Sequence, residues 1–167
     1  MSAIALIGAP GSGKSTLGPL LARRLDVPFV DVDAAIEERE GRSIRDIFAD
    51  DGEAHFRELE RDATLAALSE DAVLSLGGGA VMTPAIRDAL AGHRVVWLKV
   101  SVHDAVKRVG LDEARPLLMG NLRSTLIRLL RARTPVYEAT AGLAVDTDGL
   151  TPDEVADVIT TWLEEQS

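Results

Sequence analysis

The sequence predicts an α/β domain in which parallel strands are covered by helices on both faces, and three observations carry that prediction. Five short apolar runs rich in Val, Leu and Ile, at Ile4–Ile7, Phe29–Val32, Val73–Leu76, Val95–Val100 and Leu143–Val145, are separated by longer stretches of helical periodicity. Each run reads as apolar on both faces, as expected of strands sandwiched between helix layers. The length, 167 residues, is that of one domain with one sizeable core.

The first run leads straight into Gly8-Ala9-Pro10-Gly11-Ser12-Gly13-Lys14-Ser15-Thr16, which matches G-x-x-x-x-G-K-[ST] in its expected place between a strand and a helix. Gly8, Gly11 and Gly13 are expected at positive φ, where the backbone approaches a ligand closely and turns successive N–H groups toward phosphate oxygens. Lys14 is expected to reach terminal phosphates and the Ser15 hydroxyl to ligate Mg²⁺. A glycine-rich turn with an incidental lysine is the bland alternative, and the register makes it a poor one. In the helix that follows, Pro19 lies past the first turn, where it removes a hydrogen bond at a typical cost of about 3 kcal/mol, so a kink is expected, with Gly18 absorbing strain.

The second run ends in Asp31-Val32-Asp33. In a strand the two carboxylates point to one face, so one can influence the shell of a bound Mg²⁺ while the other accepts a hydrogen bond from an attacking hydroxyl. Asp33 also precedes Ala34-Ala35-Ile36-Glu37 and reads equally well as a helix N-cap; the two roles can coexist. Arg57 and Glu60, three apart in Gly52-Glu53-Ala54-His55-Phe56-Arg57-Glu58-Leu59-Glu60, either pair or belong to a solvated helix face. Leu65 and Leu68 with nearby alanines mark a long helix ending before Asp71.

After the third run, Gly77-Gly78-Gly79 offers backbone free of side chains for close approach of a small polar ligand, with a plain turn as the alternative. Thr83-Pro84 starts one helix, and Thr151-Pro152 with Glu154 starts another as a capping box. Leu122, Leu126, Leu129 and Leu130 mark a further helix. Between them, Gly110–Asn121 is the least core-like stretch and reads as a mobile loop. Only Lys14, Lys99 and Lys107 among the 18 Lys and Arg are lysines, and Arg108, Arg115, Arg123, Arg128, Arg131 and Arg133 crowd around this stretch. Guanidinium forks suit phosphate and carboxylate, although several of these arginines must be ordinary solvated residues.

Composition excludes other classes. A formal net charge of −9 argues against a general nucleic-acid binder, and the absence of cysteine removes disulfides, Fe–S clusters and thiolate catalysis. His55, His93 and His103 show no metal-ligand spacing. No run approaches the length of a membrane span, and Ala3–Ile7 has no basic residues before it, so it reads as a strand rather than a signal peptide and a cytoplasmic address is expected.

Gly11-Ser12-Gly13-Lys14-Ser15-Thr16, Asp31-Val32-Asp33, Ile47-Phe48 with Gly52-Glu53 and Phe56-Arg57-x-x-Glu60, Gly77-Gly78-Gly79-Ala80, Arg115-Pro116-Leu117-Leu118 and Arg133-x-Pro135-x-Tyr137, taken in this order, closely resemble the shikimate kinase family. The resemblance runs over nearly the whole chain. It implies a three-layer phosphate-loop kinase fold with a five-stranded parallel sheet, a lid at about 110–122 and an acceptor-binding region at about 33–61. It also implies transfer of the ATP γ-phosphoryl group to the 3-hydroxyl of shikimate, with Mg²⁺ at Ser15 and, through water, Asp31.

On this resemblance Asp33 binds the acceptor hydroxyls and acts as base, with Lys14 and Arg115 completing the catalytic set. Arg57 and Arg133, with Glu60 behind Arg57, hold the carboxylate, Gly77, Gly78 and Gly79 contact the ring hydroxyls, and Phe48 and Phe56 line the apolar side of the ring. Arg108 and Pro152 sandwich the adenine, beside the ATP-binding run Gly11–Thr16. A monomer is expected, with ATP and shikimate as its partners. The sequence departs from the family at Leu150, where relatives often carry a basic residue, at Pro19, and at Val136. Gluconate kinase, of the same fold, and a non-catalytic nucleotide-binding domain are the rival readings.

Overall fold

The computed structural model describes residues 3–112 and 119–166, with the side chains from 110 to 120 outside that description. Five strands, β1 (Ile4–Ile7), β2 (Phe29–Asp31), β3 (Val73–Ser75), β4 (Arg94–Lys99) and β5 (Leu143–Asp146), form one parallel sheet in the order β2-β3-β1-β4-β5. Around them lie α1 (Lys14–Leu25), α2 (Val32–Glu40), α3 (Ile44–Asp51), α4 (Glu53–Leu68), α5 (Pro84–Leu90), α6 (Val102–Asp112), α7 (Met119–Thr140) and α8 (Pro152–Glu165). Parallel strands need such crossovers, and the helices divide between the two faces.

The period-2 alternation of a strand builds two cores. Ile4 and Leu6 of β1 join Leu17, Leu21, Val96, Leu98, Val155 and Ile159 under α1 and α8. Ala5 and Ile7 join Ile36, Ile47, Leu74, Leu76, Ile86, Trp97 and Tyr137 on the opposite face. The three inner strands are buried throughout β1 and β3 and over most of β4, whereas β2 is only half-buried and β5 exposes Ala144 and Asp146. The expectation of two apolar faces therefore fails at the sheet edges, where a strand has a neighbour on one side only.

Two other expectations are corrected. β2 stops at Asp31 and Val32 already begins α2, so Asp31 and Asp33 do not share a strand face. Asp31 is the N-cap, its side chain accepting from the Ala34 N–H at 3.2 Å, and Asp33 sits in the first helical turn, where its charge favours the helix dipole. Within the stretch expected to be a loop, Gly110–Asn121, the described residues are helical, α6 reaching Asp112 and α7 starting at Met119; the rest of the expected lid, with Arg115, lies outside the described residues.

Helix starts follow their local chemistry. Thr83 and Thr151 occupy the N-cap position before a proline; the Thr83 side chain makes no capping bond, whereas Thr151 with Glu154 closes the capping box in both directions. α1 continues through Pro19 to Leu25. Gly18 has a packing reason: a Cβ there would lie 2.2 Å from the Phe29 ring, so the bare backbone is what lets α1 seat on β2. Among the described residues no helix is long and apolar enough to cross a membrane.

Candidate active site

The carboxyl ends of β1, β2 and β3 converge where the strand order reverses about β1, which is where ligands bind in open parallel sheets. Here the loop from Gly8 to Gly13 turns into α1. Gly8, Gly11 and Gly13 take φ of 150°, 82° and 98°, as the motif predicts. Gly8 has no room for a side chain either, since a Cβ would lie 2.6 Å from the Leu98 carbonyl oxygen. Lys14 arches back over the loop, its Nζ donating to the Gly8 carbonyl at 2.6 Å, the Ala9 carbonyl at 3.1 Å and Ser12 Oγ at 3.3 Å. Burial pushes this ammonium down to about 8, against the opposing pull of the Asp33 and Asp31 carboxylates.

One cavity holds Gly11, Ser12, Gly13, Lys14, Ser15 and Thr16 together with Asp31, Asp33, Ser75, Gly77, Gly78 and Arg108. Phosphate-loop and acceptor residues thus share one space. Asp33 Oδ1 is buried with no hydrogen-bond partner among the described residues, and burial first, then the neighbouring Asp31 charge, raises its pKa above the ordinary carboxylate value. A buried carboxylate oxygen with an unused acceptor position is what a ligand hydroxyl needs. For a divalent cation the wall offers the Ser15 hydroxyl and the Asp31 carboxylate, and no group of three or more His, Cys, Asp or Glu gathers among the described residues. That donor set fits Mg²⁺, which keeps several waters and leans on substrate phosphates rather than on a protein cage.

The glycine triplet explains how the remaining side chains converge. A Cβ built on Gly77 would lie 3.0 and 3.2 Å from the two Asp33 carboxylate oxygens and 3.3 Å from Glu60 Oε2. One on Gly78 would lie 3.0 Å from Arg133 Nη1, and one on Gly79 only 2.7 Å from Arg57 Nη2 and 3.1 Å from Arg133 Nη2. None of the three glycines has positive φ, so the triplet is there for close approach and not for turn geometry. Two guanidinium groups, 76 positions apart in the chain, therefore meet at one glycine, a place for a planar anion.

Arg57 is held as its spacing predicts. Its Nη1 donates to Glu60 Oε1 at 2.8 Å, Glu53 lies 3.6 Å from Nη2, and the guanidinium sits over the Phe56 ring at 5.3 Å. Glu60 is almost fully buried, and that burial raises its pKa while the Arg57 bond pulls it down. Phe56 is itself core, and its ring lies 4.8 Å from that of Phe48, which is 36% exposed and so is the ring that faces solvent.

On the other side of the loop a second cavity is lined by Ser12, Gly13, Thr16, Leu17, Leu98, Arg108, Thr147, Leu150, Pro152 and Val155. Arg108 and Pro152 meet there, and Leu150 stands beside them. Arg108 Nη1 donates to the Gly11 carbonyl at 2.9 Å and reaches Thr147 Oγ1 at 3.5 Å, and that hydroxyl in turn donates to the Lys99 carbonyl at 2.7 Å. Flat apolar walls with one guanidinium suit a heterocyclic base stacked beside its phosphates.

Sequence reasoning missed Ser75 and Thr147, and it left Tyr137 without a role. Ser75 is the register partner of Asp31 at the end of β3, so its place in the cavity follows from strand pairing that no local pattern reveals. Thr147 follows an apolar run as many loop residues do. Arg123, Arg128 and Arg131 take no part in either cavity, and Arg115 lies outside the described residues.

Comparison with known proteins agrees with this geometry. The family model for shikimate kinase matches residues 10–164. The shikimate kinase of Thermobifida fusca (strain YX) is 54% identical over 155 residues, covering 92% of this chain and 90% of that relative. That of Mycobacterium avium (strain 104) is 52% identical over 160 residues, covering 95% of this chain and 91% of the relative. A solved shikimate kinase from Acinetobacter baumannii in complex with shikimate superposes with a TM-score of 0.92 at 33% identity, covering 100% of this chain and 95% of that one. The Bacteroides thetaiotaomicron enzyme superposes with a TM-score of 0.89 at 31% identity, with 98% of each chain covered.

Proposed function

The chain belongs to the shikimate kinase family, and on that premise we propose that it transfers the γ-phosphoryl group of Mg²⁺-bound ATP to the 3-hydroxyl of shikimate. The observation that carries the acceptor half of this reading is the meeting of Arg57 and Arg133 at Gly79, two residues along the glycine triplet from Gly77, which the buried Asp33 carboxylate approaches. An acceptor with a carboxylate at one end and a hydroxyl at the other spans that distance.

Phosphoryl transfer asks little covalent chemistry of the protein, so positioning and charge neutralisation dominate. The N–H groups of Gly11–Thr16 cradle the phosphates at the start of α1. Lys14, which satisfies loop carbonyls in the free enzyme, exchanges them for the β- and γ-phosphate oxygens. Ser15 and, through water, Asp31 would hold Mg²⁺, which would supply positive charge to neutralise the phosphates during transfer. Asp33 accepts the hydrogen bond of the attacking hydroxyl at its Oδ1 and takes the proton as the new bond forms.

Arg57, braced by Glu60, and Arg133 hold the carboxylate and so orient the ring, while Phe48 covers its apolar side. Arg108 and Pro152 hold the base. Arg115 and the segment around it, about 110–122, act as a lid that adds positive charge at the transferring group and excludes water.

The test is a coupled assay of ADP release with ATP and Mg²⁺ across shikimate, quinate, gluconate and AMP. Shikimate should be the preferred acceptor by orders of magnitude in kcat/KM. Equal or better use of gluconate would move the chain to another small-molecule kinase of this fold, and no turnover with any acceptor would favour a binding domain.

A further inference from the structure

Tyr137 is the only tyrosine in the chain and is completely buried. Its ring packs against Trp97 with centroids 5.8 Å apart, and its hydroxyl donates to the Gly78 carbonyl at 2.5 Å across 59 positions of sequence. It lies on α7 one helical turn after Arg133, whose Nη1 and Nη2 lie 3.0 and 3.1 Å from where a Cβ on Gly78 and on Gly79 would stand. Burial raises the phenol above its ordinary value, so it remains a donor at any physiological pH.

The partner of that hydroxyl is the peptide between two glycines. Such a peptide has no Cβ on either side to resist rotation of its plane, so something else must choose which way it faces. The residues around it are pinned by the Ala80 N–H bond to the Gly77 carbonyl at 3.0 Å and the Met82 N–H bond to the Gly79 carbonyl at 3.1 Å. The Gly78 carbonyl itself is held by Tyr137. In a trans peptide the carbonyl and the following N–H point in opposite directions, and no described peptide is cis. Turning the Gly78 carbonyl toward Tyr137 therefore turns the Gly79 N–H the opposite way, away from the phenol, and no acceptor among the described residues takes it. Gly79 is also where Arg57 and Arg133 meet.

We infer that Tyr137 is a positioning residue that sets the orientation of the Gly78–Gly79 peptide, so that the Gly79 N–H and the Arg133 guanidinium are presented together to the anionic end of the acceptor. The inference rests on the acceptor reading above. It explains why a phenol, rather than a phenylalanine of the same shape, stands in the core at this point.

The experiment compares the wild-type chain with Tyr137→Phe, which keeps the ring against Trp97 and removes only the hydroxyl. The expected result is a shikimate KM raised about tenfold, the loss of one well-aimed donor, with kcat, ATP KM and melting temperature close to wild type. In ¹⁵N-labelled protein the Gly79 amide signal should broaden or double in the variant without any acceptor present. An unchanged shikimate KM overturns the inference, as does a parallel rise in both KM values with early melting, or a single unshifted Gly79 signal. If wild type itself fails to use shikimate, the acceptor reading falls while the amide signal still decides the role of Tyr137. Should Tyr137→Phe fold poorly, 3-fluorotyrosine labels this hydroxyl alone: its ¹⁹F resonance should move on adding shikimate and stay in place on adding ADP, and a resonance indifferent to shikimate overturns the inference.

Discussion

On the nucleotide side of the cleft the ligand surface is mostly backbone: three glycines at positive φ, the start of α1, and a lysine whose ammonium is already satisfied by two carbonyls of its own loop. On the acceptor side the surface is side chains brought in from α2, α4 and α7 and packed against three glycines that need no unusual φ. The first region solves its electrostatics locally, within seven residues from Gly8 to Lys14. The second gathers Asp33, Arg57, Glu60 and Arg133 from distant parts of the chain, buries two carboxylates whose pKa values rise for it, and leaves one carboxylate oxygen unpartnered. Backbone cradles tolerate change around them. Side-chain sites are sensitive to each member, because removing one leaves another buried charge exposed to its own desolvation.

The sharpest way to break this contrast is Asp33→Asn. Deleting the acceptor charge without touching the loop should lower turnover about 10²–10⁴-fold while ATP affinity, measured by titration with a non-hydrolysable analogue, stays within about twofold. Turnover near wild type would remove Asp33 from the base role. Next in size is Arg57→Ala. Truncating one partner of a desolvated charge pair costs about 2–5 kcal/mol, so shikimate affinity should fall roughly 30-fold or more with ATP affinity unchanged. Arg57→Lys should also lose affinity, because an ammonium cannot reproduce the fork. A neutral amide of shikimate serves as control, since the variant should lose little further with it; equal losses for both acceptors would make Arg57 structural.

The third test uses pH and addresses the nucleotide side. Lys14 in the folded chain titrates at about 8 instead of 10.5. ATP affinity of the free enzyme should therefore fall as pH rises through about 8, as the ammonium is lost. Stability should move the other way. Between about pH 8 and 10 the unfolded chain holds the proton that the folded chain has released, so unfolding binds protons and the Lys14 contribution to stability grows with pH. Nucleotide titrations and thermal melts over pH 7–10 check both signs; both trends should vanish in Lys14→Met, and a wild-type pH profile in that variant would assign them to another group. The smallest expected effect is that of Glu60→Gln, which keeps a hydrogen-bond acceptor for Arg57 but removes the charge. A rise of about three- to fivefold in shikimate KM, with kcat preserved, is expected for a loosened guanidinium, and a kcat loss as large as that of Asp33→Asn would instead place Glu60 at the reacting atoms.

How much of this was legible before the fold divides along the same line. The phosphate loop, the capping box at Thr151, the Arg57–Glu60 pair and the five strand-forming runs all appear in the residues as written, since each is an interaction over a few positions or a periodicity within one element. The end of β2 was misread. Val32 is apolar and extends the strand pattern of Phe29–Val30, yet Asp31 caps the helix that Val32 begins, because a carboxylate two residues earlier than expected already satisfies the Ala34 N–H. The glycine triplet reads in the sequence as room for a small polar ligand, and what the structure packs most closely against it is Asp33, Arg57 and Arg133 of the chain itself.

By itself, then, the amino-acid order determined a parallel α/β sheet, a phosphate cradle and the identity of the charged residues available to an acceptor, because hydrophobic period, glycine conformation and helix capping act over spans shorter than one element. Only the tertiary structure decided that Arg57 and Arg133 meet at Gly79, that Ser75 lies beside Asp31, and that Tyr137 holds the Gly78 carbonyl. These contacts join residues separated by tens of positions. Their existence depends on how β2, β3 and α7 are placed around β1, and on the burial there that shifts Asp33 and Glu60, neither of which any local pattern encodes.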